Sequence, residues 1–336
     1  MKLNKAILVI ILSLLCLIFG WYLRGLWENK LSLSSLSQSI LRRPLERYTI
    51  ENLANTTIPQ EPIEIADEIG KQDSFTSNLF YISLDPTLRN STKKKVSGLI
   101  NIPEGEGSFP LVFMLRGYVD PTVYKTGVGT QRAGEFFAQN GFITVSPDFL
   151  GYASSDKESS DIFETRFQTY TTALTVLNSL SSIAKWDQKN VFIWGHSNGG
   201  QIALTLLEIT GREIPTVLWA PVSKPFPYSI LYYTDESQDR GKLIRNRLSE
   251  FEKYYDPDLF AIDLYYDRIK APIELHQGSG DDAVPIEWSD ELSKALKGKG
   301  VEVNYFTYPG ADHNLNPAWN QVVARNLVFY LAHLKD

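Results

Sequence analysis

Two patterns of apolar residues alternate along the chain: short runs rich in apolar residues, of which Pro110–Leu115 is continuous, and longer stretches with apolar residues at helical spacing. The runs are typical of buried strands and the stretches of amphipathic helices. The runs predict strands at Leu79–Leu84, Lys95–Ile102, Pro110–Leu115, Phe142–Ser146, Val191–Trp194, Val217–Ala220, Ile273–His276 and Val301–Tyr308. The stretches predict helices at Gln131–Asn140, Phe163–Ile183, Ile202–Leu207, Trp288–Lys297 and Ala318–Leu334. Because strands alternate with helices, the sequence predicts an α/β fold with a mostly parallel sheet and helices on both faces.

Two regions depart from this alternation. Residues 222–268 form an aromatic, partly helical insertion, which predicts a small cap above the carboxyl ends of the strands. Residues 28–74 are polar and contain scattered prolines, and they predict a linker with one short helix around Leu45–Ala54. We therefore expect the main domain to cover residues 75–336.

The chain begins with an apolar run, Ala6–Leu23, that follows Lys2 and Lys5. Its length is near the ~20 residues that a membrane-spanning helix needs. The sequence therefore predicts an N-terminal transmembrane helix within a membrane anchor at residues 1–27, with the remaining chain on the extracytoplasmic side. The alternative is a signal peptide that is cleaved, which would release a secreted protein.

A Gly-X-Ser-X-Gly pentapeptide, Gly195 to Gly199, lies between a predicted strand and a predicted helix. A serine in such a strand–turn–helix has its hydroxyl exposed at the end of the sheet, where it can act as a nucleophile. We therefore expect Ser197 to be catalytic. The backbone N–H of Asn198 would be one oxyanion donor, and Tyr118, in the loop after Pro110–Leu115, would supply the second.

A serine nucleophile needs a base, and the chain has four histidines. His313 is the one that lies in a loop between a strand and a helix, at the active end of the sheet. The others lie in less suitable places: His196 in the turn, His276 in a strand and His333 in the last helix. The acid that orients the base is either Asp281 or Asp282, which follow the preceding strand.

Composition narrows the function. A hydrophobic content of 43% indicates a substantial core, and a net charge of −6 without a basic stripe argues against a nucleic-acid partner. The lone cysteine, Cys16, lies in the N-terminal apolar run, so the rest of the chain holds no disulfide or cysteine metal site. No phosphate-binding glycine loop or His-X-X-X-His pattern is present, so we expect no cofactor and no metal.

Over about residues 75–336 these motifs resemble the α/β-hydrolases, and specifically the catalytic domain of the prolyl oligopeptidase family. Residues 195–200 match that family's Gly-X-Ser-X-Gly-Gly turn, and residues 310–313 match its Gly-X-X-His segment. The family's acid segment, an Asp followed after two residues by Val-Pro, falls on residues 281–285. The resemblance therefore implies an α/β-hydrolase fold with Asp281 as the acid.

The resemblance also bears on the substrate site. Residues 146–152 resemble a Pro-Asp-X-X-Gly turn that lines the site floor, which implies a substrate-binding role for Asp148; the alternative is a structural turn. Where the family usually has His-Gly, this chain has Arg116-Gly117, which we expect to place a charge near the cleft. Among the aromatic residues of the cap, Tyr228 and Tyr232 are candidates for the substrate pocket.

Together these features predict a serine hydrolase that cleaves peptide or ester bonds through an acyl-enzyme, as prolyl oligopeptidase-type peptidases do. The expected substrates are short peptides or small-molecule esters. One alternative is an esterase that acts on small acyl esters. The other is a non-catalytic binding ectodomain with a hydrolase fold, which Arg116 alone favours.

Overall fold

The computed structural model describes residues 19–25, 43–235 and 237–335. The strands in chain order are β1 (Glu64–Lys71), β2 (Phe75–Leu84), β3 (Lys94–Pro103), β4 (Phe109–Leu115), β5 (Ile143–Pro147), β6 (Trp186–His196), β7 (Thr216–Trp219), β8 (Ile273–Gly278) and β9 (Val303–Tyr308). Within the described ranges these nine strands form one sheet, in the order β1-β2-β3-β5-β4-β6-β7-β8-β9. Strands β4 to β9 pair parallel with one another, whereas the pairs β1–β2, β2–β3 and β3–β5 are antiparallel.

The helices connect and cover these strands. From residue 43 onward they are α1 (Ile50–Ala54), α2 (Gln131–Gln139), α3 (Ile162–Ser179), α4 (Asn198–Thr210), α5 (Tyr228–Leu231), α6 (Lys242–Phe251), α7 (Ile286–Gly298) and α8 (Trp319–Ala332). Short 3₁₀ helices lie at Glu46–Tyr48, Leu180–Ser182, Pro257–Phe260, Ile262–Leu264 and Tyr266–Arg268. Each crossover helix returns the chain to the same edge of the sheet, so the carboxyl ends of the parallel strands lie together.

The core lies on both faces of the sheet. Alternate residues of β4 point to opposite faces, so Phe113 packs in one apolar cluster and Met114 in the other. The first cluster includes Leu174 of α3 and Leu204 of α4, and the second includes Phe137 of α2. Burial on both faces explains why the central strands have continuous apolar sequences.

The predicted elements from residue 79 onward agree with the structure to within a few residues, except that β6 begins five residues before the predicted Val191. Strand β1 was not predicted, because this edge strand is mostly exposed and carries no apolar alternation. The segment expected to be a linker differs more. From residue 43 on it is folded against the domain: Tyr48 and Leu53 are buried, and the Tyr48 hydroxyl donates to Glu164 Oε1 at 3.0 Å.

The predicted anchor falls mainly on residues that the structure does not describe. Residues 6–18 of Ala6–Leu23, with Cys16 among them, and residues 28–42 of the expected linker lie outside the described residues. Residues 19–25 are helical, and Phe19, Trp21 and Tyr22 are exposed. Across the described ranges, none of the helices combines the length and the apolar character that a membrane crossing requires.

Candidate active site

The turn between β6 and α4 holds Ser197 in a backbone conformation that L-residues rarely adopt, with φ 55° and ψ −121°. Strand β6 ends at His196 and α4 begins at Asn198, so the chain reverses at this one residue. The turn has no room for a side chain at Gly199, where a Cβ would lie 1.9 Å from the carbonyl oxygen of Leu115. Backbone strain of this kind occurs at functional sites, and here it places the serine at the carboxyl end of the sheet.

An aspartate and a histidine are paired at the ends of two neighbouring strands. Asp281 follows β8 and His313 follows β9. His313 Nδ1 donates to the Asp281 carboxylate, at 3.0 Å from Oδ1 and 2.9 Å from Oδ2. The Asp281 side chain is buried, whereas the His313 side chain is 19% exposed. This pairing orients the imidazole and leaves Nε2 free of the carboxylate, as a general base requires.

The Asp281 carboxylate is held ionised. Burial alone would raise its pKa, but hydrogen bonds from His313 and from the N–H groups of Val284 and Ala283 outweigh burial, so the pKa of Asp281 is lowered. Both N–H groups donate to Oδ1 at 2.9 Å. The neighbouring Asp282 is exposed, so the structure identifies Asp281 as the partner of His313.

Backbone contacts tie the loops of the acid and the base together. The N–H of Ser279 donates to the Tyr308 carbonyl at 3.0 Å, and the N–H of Gly280 donates to the Ala311 carbonyl at 2.9 Å. In return, the N–H of Gly310 donates to Ser279 Oγ at 2.8 Å. The Asp281–His313 distance is therefore fixed by the surrounding loops as well as by the pair itself.

His196 connects the nucleophile turn to the loop of the base. Its Nε2–H donates to the backbone carbonyl of His313 at 2.9 Å, and the two rings lie 4.7 Å apart between centroids. Burial lowers the pKa of His196 to about 4, so the ring is neutral near pH 7. Sequence reasoning assigned His196 no role. In the structure, its hydrogen bond to the His313 backbone holds the loop of the base against the turn that carries Ser197.

The loop after β4 approaches the serine closely enough to form an oxyanion hole. A Cβ at Gly117 would lie 2.9 Å from Ser197 Cβ and 3.5 Å from Ser197 Oγ, so only a glycine allows this approach. The next residue, Tyr118, is exposed in the same loop. On the other side, Asn198 is the first residue of α4, where N–H groups have no partner within the helix. The two expected donors thus flank Ser197.

Comparison with known proteins agrees with this geometry. Residues 131–336, more than half of the 336-residue chain, match the prolyl oligopeptidase family, Peptidase_S9. The chain belongs to the prolyl oligopeptidase family. The matched residues include Ser197, Asp281 and His313, and the preceding residues supply Tyr118.

Two curated relatives differ in the bond they cleave. Acetyl esterase Axe7A of Xylanibacter ruminicola is 24% identical over 243 residues, which cover 64% of this chain and 52% of that protein. Dipeptidyl aminopeptidase BIII of Pseudoxanthomonas mexicana is 25% identical over 285 residues, which cover 79% of this chain and 37% of that protein. The chain thus spans about half or less of the length of these relatives.

Solved structures share the α/β-hydrolase fold with this member of the family. An acetyl xylan esterase from Paenibacillus sp. R4 has a TM-score of 0.63 at 17% identity, covering 85% of this chain and 92% of its own. A puromycin-hydrolyzing peptidase of Mycobacterium tuberculosis has a TM-score of 0.59 at 22% identity, covering 79% of this chain and 40% of its own. At these identities the similarity establishes the fold.

The residue that replaces the family's histidine has a structural role. The Arg116 side chain is only 5% exposed, and its guanidinium lies 3.9 Å from the centroid of the Tyr152 ring. Its Nη1 donates to the Gly117 carbonyl at 2.9 Å and its Nη2 to the Asp148 carbonyl at 2.8 Å. The charge expected near the cleft thus lies in the wall of a cavity, where aromatic rings and carbonyl groups enclose the guanidinium.

Asp148 does not form the substrate-binding floor that the resemblance implied. Its carboxylate is fully buried and accepts hydrogen bonds from the hydroxyls of Tyr124, Thr126 and Ser97, at 2.6, 2.8 and 2.6 Å. These three donors satisfy the hydrogen-bonding capacity of the buried carboxylate within the protein. The structural-turn alternative therefore describes Asp148, which supports the Arg116 loop from below.

The cap tyrosines form an aromatic group beside the acid. Tyr228 and Tyr232 are 48% and 39% exposed, and both rings face Trp288 of α7, at 6.1 and 4.7 Å between centroids. Burial raises the pKa of the neighbouring Tyr233, with smaller contributions from Tyr232 and from the Asp281 carboxylate. Both predicted tyrosines thus lie against Trp288, and their place in the substrate pocket stays a prediction. Sequence reasoning missed Trp288, which no local pattern distinguishes from a core residue of the helix.

A cavity of about 360 Å³ lies beside Asn198, the residue that follows Ser197, and we call it the oxyanion-side cavity. Its walls include Arg116, Tyr118, Tyr152, Arg166, Asn198 and Ile202. Sequence reasoning missed Arg166, whose position in a predicted amphipathic helix gave no functional signal. In the part of the chain that the structure describes, no group of three or more His, Cys, Asp or Glu residues is arranged to hold a metal ion.

Proposed function

We propose that this protein is a serine hydrolase that cleaves ester or short-peptide bonds through an acyl-enzyme. The observation that carries the proposal is the Asp281–His313 pair, bonded at 2.9 Å and linked through His196 to the strained turn of Ser197. The relatives support the same chemistry, since one is an acetyl esterase and another a dipeptidyl aminopeptidase.

In the first half of the reaction, Ser197 Oγ attacks the substrate carbonyl carbon while His313 Nε2 takes the hydroxyl proton. The Asp281 carboxylate stabilises the resulting imidazolium, and the N–H groups of Tyr118 and Asn198 donate to the oxyanion. His313 then passes its proton to the leaving alkoxide or amine. In the second half, water attacks the acyl-enzyme and gives a proton to His313, which returns it to Ser197 as the acid leaves.

Short substrates fit the surroundings of the serine best. The oxyanion-side cavity measures about 360 Å³, near the lower end of small-molecule sites. The exposed rings of Tyr228 and Tyr232 can bind an apolar group on the other side. The binding-ectodomain alternative rests on Arg116 alone, whereas the Asp281–His313 pair supports a catalytic function.

The test uses the full chain and its Ser197→Ala variant. A fluorophosphonate probe and a panel of acyl p-nitrophenyl esters and dipeptidyl p-nitroanilides are applied to both, with Ser181→Ala, at an exposed serine, as the control. We expect labelling and turnover in the wild type and the control, and a loss of about 10⁴-fold or more in Ser197→Ala. Turnover in a folded Ser197→Ala variant close to the wild type would exclude the mechanism. Cleavage of folded casein-sized proteins would contradict the proposed substrate size.

We propose further that Ala6–Leu23 anchors the protein in a membrane, with the hydrolase domain on the extracytoplasmic side. The support is the apolar sequence of this segment and the exposure of Phe19, Trp21 and Tyr22. Protease added to intact cells should digest the domain, and carbonate washing should leave the protein in the membrane fraction. A soluble product that begins beyond Leu23 would instead indicate a cleaved signal.

A further inference from the structure

An arginine with neutral partners lies in the wall of the oxyanion-side cavity. Arg166, on α3, is half-buried, and its Nη2 donates to Gln201 Oε1 and to Ser229 Oγ, the latter at 3.1 Å. Gln201 is itself buried, and its amide nitrogen donates to the Lys224 carbonyl at 3.2 Å, which turns its oxygen toward the arginine. The guanidinium is therefore held in place by acceptors that carry no charge.

Among the described residues, no carboxylate pairs with this guanidinium. Across residues 19–25, 43–235 and 237–335, no Asp or Glu oxygen lies within 4.0 Å of Arg166, although Glu158 is at the exposed rim of the same cavity. The Nε atom of Arg166 is buried without a hydrogen-bond partner. A half-buried positive charge without a counter-ion is unfavourable, and a carboxylate that pairs with it relieves that cost.

One part of the guanidinium remains open to a ligand. Within the described ranges Nη1 of Arg166 makes no hydrogen bond, and it is not enclosed as Nε is. An arginine with open N–H donors favours planar anions, and carboxylates above all. Arg116, the other arginine of the cavity, differs, because its two Nη atoms already donate to backbone carbonyls.

Helix geometry relates this arginine to the reacting carbonyl. Gln201, which holds Arg166, lies one helical turn after Ser197, so the two residues are on the same face and roughly 6 Å apart along the axis of α4. The cavity also borders Tyr118 and Asn198, the two expected oxyanion donors. A carbon chain of about this length, roughly two to four atoms, would join a group at Arg166 to the scissile carbonyl.

We propose that the acyl part of the substrate carries a second, ionised carboxylate, which binds Nη1 of Arg166. The preferred substrates are then half-esters or amides of short dicarboxylic acids, with the free carboxylate in the oxyanion-side cavity. This inference rests on the proposed serine hydrolase function and adds a substrate class to it. The chemistry of cleavage is unchanged, since the carboxylate binds and does not react.

The test compares three ethyl esters with the same leaving group: ethyl hydrogen glutarate, its neutral amide ethyl glutaramate, and ethyl pentanoate. Ethanol release by the full chain gives kcat/KM for each. We expect the charged ester to be preferred by about tenfold or more over both neutral esters. In Arg166→Gln, kcat/KM for the charged ester should fall by about 10- to 100-fold, while the neutral esters change by less than about threefold.

Two further variants separate charge recognition from a structural role. Gln201→Glu places a carboxylate of the protein against Arg166, so it should lower turnover of the charged ester selectively even where Arg166→Gln folds poorly. Arg245→Gln removes the same charge from an exposed ion pair in the cap and should change nothing. A preference of the wild type for the neutral esters would overturn the proposal. An equal loss of kcat/KM on all three esters in both Arg166→Gln and Gln201→Glu would also overturn it.

A binding measurement separates the failure of this inference from failure of the hydrolase function. Calorimetric titration of glutarate into Ser197→Ala should show binding that the double variant Ser197→Ala with Arg166→Gln loses by about tenfold or more. Such binding in a chain that hydrolyses no ester would support the anion site and refute the hydrolase function. Hydrolysis of esters without charge preference, and without glutarate binding, would refute the anion site and leave the hydrolase function intact.

Discussion

Replacing Gly117 by alanine tests whether the loop after β4 supplies an oxyanion donor. The added Cβ would lie 2.9 Å from Ser197 Cβ and 3.4 Å from the carbonyl oxygen of His196. Ordinary carbon–carbon contacts begin near ~3.5 Å, so the loop must retreat from the nucleophile turn by roughly half an ångström or more. Because the N–H of Tyr118 moves with the loop, the donor leaves the narrow range of distances in which it can stabilise the oxyanion.

The expected effect is on the chemical step. Losing one oxyanion donor costs about 10²- to 10³-fold in kcat, and a displacement of about 1 Å costs about 10²-fold, so we expect kcat of Gly117→Ala to fall by about 10²-fold. KM should change much less, because the substrate pockets on either side are untouched. The assay is steady-state hydrolysis of p-nitrophenyl acetate, with the rate of fluorophosphonate labelling as a second measure of Ser197 reactivity.

Gly298→Ala is the matched control, because a Cβ at Gly298 meets no atom within 4 Å. This variant should keep the wild-type kcat and the wild-type thermal unfolding midpoint. If Gly117→Ala unfolds at the wild-type midpoint and keeps kcat within about threefold, the loop supplies no donor and Tyr118 is not part of the oxyanion hole.

Two other substitutions test the acid and a buried carboxylate. Asp281→Asn should lower kcat by about 10⁴-fold because His313 takes the wrong tautomer. Asp282→Asn, at an exposed residue, should keep kcat within about threefold of the wild type. Steady-state kinetics in which Asp282→Asn loses more activity than Asp281→Asn would contradict the assignment. At Asp85, burial would raise the pKa, but hydrogen bonds from nearby backbone N–H groups and a threonine hydroxyl lower it from 3.8 to about 2. Such a carboxylate contributes about 2 kcal/mol above pH 4, which is lost as the pH falls toward 2. In urea unfolding, Asp85→Asn should have a free energy of unfolding lower than that of the wild type by about that amount at pH 7, and close to that of the wild type near pH 2. The control variant Asp67→Asn should match the wild type at both pH values. A difference between Asp85→Asn and the wild type that does not depend on pH would contradict the reasoning.

The sequence could predict the sheet and the nucleophile because both depend on local patterns. Apolar runs identify buried strands whatever their partners, and the turn around Ser197 is encoded in consecutive residues. The choice of His313 followed from its place at the end of a strand. The sequence motifs alone did not decide between Asp281 and Asp282 as the acid. The structure distinguishes them, because two backbone N–H groups donate to the carboxylate of Asp281 only.

What the sequence could not predict depends on contacts between distant segments. Arg166 is held by Gln201, which lies 35 residues later in the chain. Tyr48 is buried against residues more than a hundred positions away. Strand β1 is exposed and pairs only at the edge of the sheet, so it leaves no apolar pattern. For the same reason Asp148 was misjudged: its three hydroxyl partners come from two other parts of the chain.

The two arginines beside the serine show how one residue type takes opposite roles within one cavity. Arg116 lies against three aromatic rings and spends both Nη atoms on carbonyl groups, so its positive charge stabilises the loop that carries Tyr118. Arg166 meets neutral acceptors on one nitrogen and leaves another open. A substrate anion therefore gains little from the first and much from the second. Under the proposed function, the arginine in place of the family's histidine supports the loop that carries Tyr118. Substrate selectivity would then depend on Arg166, which is held by Gln201 one helical turn after Ser197.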